Sequence, residues 1–228
     1  MSEEELNRRC LAEKAETLEY SEEDCVRLPS VKESLAVYVT ASGRYTYADY
    51  LGWKDYQRRE LIHGVVHNLF SAPSRLHAQI SFNLAFLFRW FIRKRKGKCR
   101  VFHAPFDVRL PKNGETDDDQ IDTCVEPDIC VICDPSKLDA KGCIGAPDLI
   151  VEVQSPSTRK RDLDEKLSLY ESSGVCEYWT IDPPPKTLTV FLLQENGKYD
   201  AGTVYTKGKA PVGIFEGLKI DLKKLFEE

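Results

Sequence analysis

The sequence predicts an α/β (α+β) protein with a mixed central sheet flanked by helices, on three observations. Residues 74–96 form a long amphipathic stretch with Leu76, Ile80, Leu84, Leu87, Phe88 and Phe91 at helical spacing. Two near-continuous apolar runs, Asp128–Cys133 and Leu149–Val153, have the composition of central strands covered on both faces. After them a helical segment, Arg159–Ser172, precedes two further strand-like runs, Glu177–Ile181 and Thr187–Leu193.

Element by element, residues 1–45 are charge-rich and weakly patterned, and are read as an N-terminal extension to a domain spanning 46–228. Thr46 is placed to cap a short helix through Leu51 and Trp53. Glu60–Phe70, with Gly64 at its middle, suggests a hairpin or a bent strand. Gly97 is expected to stop the long helix, and basic residues fill its last turn, where the helix dipole favours them. Cys99–Leu110 reads as one strand, and Lys112–Asp122, with Asp117, Asp118 and Asp119, as a solvated loop. Ser157 or Thr158 is the expected cap of the Arg159–Ser172 helix, which Gly174 ends. Val204, Ile214, Leu218, Ile220 and Leu222 are expected to add short edge strands.

With 42% hydrophobic and 30% charged residues, the composition is ordinary for a soluble globular protein. No uncharged apolar run approaches 18 residues, so no membrane span is expected. The acidic, polar opening MSEEELNRRC is unlike a signal peptide, and the expected location is the cytoplasm. That compartment argues against a disulfide framework among the eight cysteines. A zinc site on Cys124, Cys130, Cys133 and Cys143 is disfavoured, because i and i+3 on a strand point to opposite faces. These cysteines are read as small buried hydrophobes. The net charge of −5 does not favour nucleic acid as a whole. Two basic clusters stand out, one including Arg93, Lys94, Arg95 and Lys96, the other Arg159, Lys160 and Arg161.

Three charged residues sit where packing alone would not put them. Glu152 interrupts the apolar run Leu149–Val153, and an uncompensated carboxylate in a buried strand costs several kcal/mol. Asp128 opens the preceding core strand directly after Pro127. If these strands are neighbours, the two carboxylates converge at one end of the sheet and suit Mg²⁺ or Mn²⁺ with part of its water shell. Lys166 falls on the stripe Leu163, Lys166, Leu167, Tyr170 of the following helix and calls for an anionic partner.

The segment Glu126-Pro127-Asp128, Pro147–Thr158, Asp162–Tyr170 and Gly174–Trp179, with Glu60–Gly64 and the helix bearing His77 upstream, resembles the Uma-type restriction endonuclease family of the PD-(D/E)XK nucleases. The likeness covers roughly residues 46–195. It implies Asp128 and Glu152 as metal ligands, with Glu60 as an outer or additional metal carboxylate and His77 as a phosphate contact or proton carrier. The parent motif has lysine two residues after the second acid. This chain has Gln154 there, and the family resemblance implies that Lys166 takes over, with Gln154 left to position water.

The expected function is metal-dependent hydrolysis of DNA phosphodiester bonds. Asp128, Glu152, Lys166 and Gln154 are the expected catalytic group, with His77, Arg93, Lys94, Arg95, Lys96, Arg159 and Lys160 on the nucleic acid. A rival expectation is a nuclease-derived binding or regulatory protein with little catalysis, towards which Gln154 and the net negative charge both point. Nucleases that cut both strands commonly act in pairs, so a homodimer is the expected assembly.

Overall fold

The computed structural model describes residues 43–55, 57–69, 73–155 and 158–227. The expectations for residues 1–42, for Phe70 and for a Ser157 cap lie outside the described residues. In chain order the elements are α1 (Tyr47–Gly52), β1 (Arg59–Ile62), β2 (Val65–Asn68), α2 (Arg75–Lys94), β3 (Arg100–His103), β4 (Val108–Arg109), β5 (Cys124–Val125) and β6 (Ile129–Ile132). There follow β7 (Leu138–Asp139), β8 (Gly142–Ile144), β9 (Leu149–Val153), α3 (Arg159–Leu163), α4 (Glu165–Ser173), β10 (Glu177–Asp182), β11 (Thr187–Leu192), β12 (Thr203–Tyr205), β13 (Lys209–Pro211), β14 (Lys219–Asp221) and α5 (Leu222–Leu225).

The central sheet has the order β12-β11-β10-β9-β6-β3. Its middle is antiparallel between β6 and β9 and parallel between β9 and β10. Alternation along these strands splits their side chains between two layers. Ile129, Val131, Val151, Val153, Trp179 and Ile181 face the apolar stripe of α2, Ile80, Leu84, Phe88 and Ile92. Cys130, Ile132, Ile150 and Tyr178 face the opposite way, toward Leu169 and Tyr170 of α4 and toward Ile62, Val108 and Val125 of a second sheet. That sheet has the order β2-β1-β5-β4-β8-β7. Glu152 shares the parity of Ile150, so it projects into the layer that the second sheet closes.

Several local expectations hold for their stated reasons. Thr46 caps α1 in a capping box with Asp49, and the long helix starts where its apolar spacing begins, at Arg75, with the unforeseen cap Ser74 accepting from His77 N. His63 and Gly64, both at positive φ, turn the β1–β2 hairpin.

Others are corrected. Helix α2 ends at Lys94. The left-handed residue beyond it is Lys96, with φ 54°, and Gly97 N closes the end by donating to Ile92 O at 2.8 Å. Leu87 turns outward, because the buried stripe runs through Ile80, Leu84, Phe88 and Ile92. The Cys99–Leu110 run is two strands rather than one, β3 in the central sheet and β4 in the second, with the cis Ala104-Pro105 bond between them. The Arg159–Ser172 segment is two helices separated at Asp164. The hydroxyl of Thr158 accepts from Ser155 N at 3.1 Å and does not cap α3. In the tail only β12 edges the central sheet, whereas β13 and β14 pair with each other. Cys130 and Cys133 lie in opposite layers, but Cys133 is disulfide-bonded to Cys99, its cross-strand neighbour, and is not a free buried thiol.

Candidate active site

Continuing the Ile129–Val151 register one step sets Asp128 across from Glu152, and opposed residues of an antiparallel pair share a face. Asp128 is fixed there by its own carboxylate, whose Oδ2 accepts from Val153 N at 2.7 Å. His77, in the first turn of α2, brings Nε2 to 3.1 Å from the same oxygen.

Glu152 lies almost entirely out of solvent. Its Oε1 accepts from Lys166 Nζ at 2.8 Å and from the Tyr170 hydroxyl at 2.8 Å. Lys166 Nζ also stands 2.7 Å from Glu60 Oε1, so one buried ammonium bridges a carboxylate of the central sheet and one of the second sheet. Glu60 Oε1 takes a second donor, Glu126 N at 3.2 Å. Its Oε2 is sealed from solvent without a hydrogen-bond partner, and Arg161 Nη2 is 3.8 Å away.

The charge balance of this cluster is unusual. Glu60, Asp128, Glu152 and the buried Asp162 face Lys166, with Arg161 and His77 at the margin. Burial pushes the Glu152 carboxyl up to about 8, against the pull of Lys166 and helped by Asp162, Asp128 and Glu60. Burial raises Asp162 as well. Lys166 is held well above the usual lysine range, because the attraction of Glu152, Glu60 and Asp162 outweighs the cost of burying its charge. Burial disfavours His77 as a cation, yet Asp128 raises it above the ordinary histidine value.

All these groups line one cavity of about 1230 Å³. Its floor holds Asp128, Glu152, Gln154 and Lys166, and its walls include Arg58, His103, Leu76, Phe82 and Pro183. Gln154 lines the cavity but is buried, and its Nε2 is sealed from solvent without a hydrogen-bond partner.

Of the residues singled out from sequence, Asp128, Glu152, Glu60, Lys166, Gln154 and His77 therefore surround one space. The basic run Arg93–Lys96 does not join them. It lies at the far end of α2, about 27 Å from His77 at ~1.5 Å per residue. Lys160 is exposed on α3, and Arg159 pairs with Asp182 at 2.7 Å. Sequence reading missed Asp162 and Tyr170 as members of the cluster. Their signal was present at i−4 and i+4 from Lys166, because the buried stripe runs through Asp162, Lys166 and Tyr170, with Leu163 turned partly outward. Glu126 was also missed as a site group. Its carboxylate holds Arg58 at the rim, through Nε at 2.8 Å and Nη2 at 2.6 Å.

Fold and site together define a restriction-endonuclease-like α/β protein, a mixed sheet with acidic residues gathered at one strand end. A crystal structure described as a "putative nuclease belonging to DUF820" from Anabaena variabilis superposes with a TM-score of 0.62, covering 80% of this chain and 97% of that one at 21% identity. The family model of Uma2, described as "Putative restriction endonuclease", matches residues 47–223, and the chain belongs to that family. It is also 32% identical over 124 residues to slr1290 of Synechocystis sp., an alignment spanning 54% of this chain and 60% of that protein. Among the described residues, no helix is long and apolar enough to cross a membrane.

Proposed function

We propose that the chain is a divalent-metal-dependent endonuclease that hydrolyses DNA phosphodiester bonds in the cavity between the two sheets. The observation that carries this reading is the bridging of Glu60 and Glu152 by Lys166, in a cavity that also holds Asp128. Carboxylates outnumber cations there, and Glu60 Oε2 is buried without a hydrogen bond. Both features leave the cluster with unmet demand for positive charge.

The donor set suits a hard cation. Among the described residues no three His, Cys, Asp or Glu groups are gathered as a complete metal cage. Mg²⁺ commonly needs no such cage, being held by one or two carboxylates, waters and the substrate phosphate. Asp128 and Glu152 would hold the ion, with Glu60 beside them. When bound, the ion supplies charge neutralisation on the phosphate and an acidified water.

The remaining work falls to side chains. Val153 N and His77 fix the rotamer of Asp128. Tyr170 and Lys166 fix Glu152 from the opposite side. Lys166, which follows Glu152 by 14 residues and lies on the next helix rather than at the strand position held by Gln154, brings an ammonium to the cavity, where it can offset charge building on the phosphate oxygens. The sealed amide of Gln154 would have to turn toward the cavity to donate to a water or a phosphate oxygen. His77 stands beside Asp128, its Nδ1 buried and unpartnered, so its role falls on Nε2, which holds the Asp128 carboxylate at 3.1 Å. The rival reading, a nuclease-derived binding protein, is favoured by one observation: Lys166 is already engaged by two carboxylates.

Supercoiled plasmid incubated with Mn²⁺ and the protein separates these readings. Nicked and linear products from the wild type and none from Asp128→Asn are expected. Equal cleavage by both proteins, or by neither, refutes the endonuclease reading.

A further inference from the structure

Helix α2 is apolar on two sides. Its inner stripe is buried, while Phe82, Phe86 and Trp90 stand exposed at four-residue intervals on the outer side, by 69, 59 and 50%. Packing does not explain them, since large aromatics on a solvated helix face oppose the usual polar patterning. Phe82 also lines the cavity that holds Asp128 and Glu152. Beyond Trp90 the row continues into the basic end of the helix, where Lys94 Nζ sits 4.9 Å from the Trp90 ring centre. Arg89 and Arg93 are exposed alongside. No Asp or Glu occurs between Arg75 and Lys96, although the chain as a whole carries −5.

We propose that this face of α2 is a track for single-stranded DNA leading into the cavity, with Phe82, Phe86 and Trp90 as stacking platforms for unpaired bases and Arg89, Arg93 and Lys94 as phosphate contacts. The inference rests on the endonuclease reading and names its substrate as an unpaired strand or a splayed end. A row of exposed aromatic side chains running into cationic ones is what a strand with exposed base faces recognises, whereas a paired duplex offers no base face to stack on. The aromatic steps are about 6 Å apart along the helix. A strand released from the ~3.4 Å spacing of duplex can extend to match them. The geometry also accounts for the basic run's distance from the acidic cluster, because it serves the far end of the track. A second copy of the chain packed on the same stripe would cover Phe82 and with it one wall of the cavity.

The test is fluorescence anisotropy in EDTA, where no metal-dependent cleavage intervenes, with a labelled 20-nucleotide single strand and the same sequence as a blunt duplex. The full chain should bind the single strand at least tenfold more tightly. Phe86→Ala and Trp90→Ala should each weaken it about tenfold, and circular dichroism should show both folded as the wild type. Arg93→Ala should flatten the salt dependence. Equal affinity for both DNA forms, or no binding in EDTA, overturns the inference. So does sedimentation showing a wild-type dimer that Phe86→Ala converts to monomer with DNA affinity unchanged, which would make the stripe an interface between copies. Intact single-strand binding with no cleavage in Mn²⁺ refutes the endonuclease reading and leaves the track supported.

Discussion

Lys166→Met removes the one ammonium that bridges Glu60 and Glu152 while keeping most of the side-chain volume. The lysine and both acids are nearly or fully out of solvent, with contacts of 2.7 and 2.8 Å. Removing one partner of a buried ionic group typically costs about 3–5 kcal/mol, because the other charge stays buried and uncompensated. Taking about 3 kcal/mol, at roughly 2–4 °C per kcal/mol for a chain of this size, the expected fall in Tm at pH 8 is about 6–12 °C. The loss should depend on pH. Glu152 already titrates near 8 in the folded state, far above an unfolded carboxylate. A carboxyl whose folded pKa is raised binds a proton that the unfolded chain lacks, so stability falls as pH rises from about 4.5 through the folded value. Without Lys166 that value climbs further, so below about pH 7 the two proteins lose stability in parallel, and the variant's deficit widens only as pH rises above about 8, where the wild-type carboxyl has ionised and the variant's has not. Melts followed by circular dichroism at pH 7 and pH 9.5 measure this directly, and the double variant Lys166→Met/Glu152→Gln should recover part of the pH 9.5 loss. A change below about 2 °C at pH 8, or a deficit no larger at pH 9.5 than at pH 7, refutes the bridging argument.

Two further perturbations test the scaffold around the site. Glu177 accepts from Trp179 Nε1, Gly213 N and Ile214 N, tying the tail to the central sheet, so Glu177→Ala should cost roughly 3 kcal/mol by chemical denaturation. An unchanged midpoint would show that the tail docks without it. The Cys99–Cys133 bond spans 34 residues of sequence, so reduction of the oxidised protein should remove roughly 3 kcal/mol and lower Tm by several degrees. Identical melts with and without reductant would exclude that contribution.

The parts of the fold legible in the sequence were those with a strong period or a single-residue signal. The buried side of α2, the two central strands and the cap at Thr46 follow from apolar spacing and from a hydroxyl residue at a helix start. The second sheet was not legible, because β4, β5 and β7 are two residues each and carry no measurable alternation. Its contribution to the site was half visible: Glu60 was marked by resemblance, but nothing in the chain showed that it would share Lys166 with Glu152 across two sheets. Lys166 itself was legible as a charge on a buried stripe, although the stripe was set one residue off. That offset hid Asp162, which is buried two residues before the break at Asp164 between α3 and α4. The Cys99–Cys133 pairing depends on the β3–β6 register, which no local pattern encodes. The outer aromatic row of α2 was masked by its inner one, since a helix apolar on two sides blurs the period that distinguishes them.

The central claim is that the acidic cluster around Lys166 has affinity for a hard divalent cation. Thermal melts of the wild type and of Asp128→Asn across a Mn²⁺ titration measure that affinity without requiring a substrate. At a hundredfold excess over Kd, binding to the folded state alone contributes about 2.7 kcal/mol, so the wild-type Tm should rise by about 5–10 °C. Asp128→Asn should show little or none of that rise. A wild-type melt unmoved by Mn²⁺, or an equal rise in both proteins, would contradict the account.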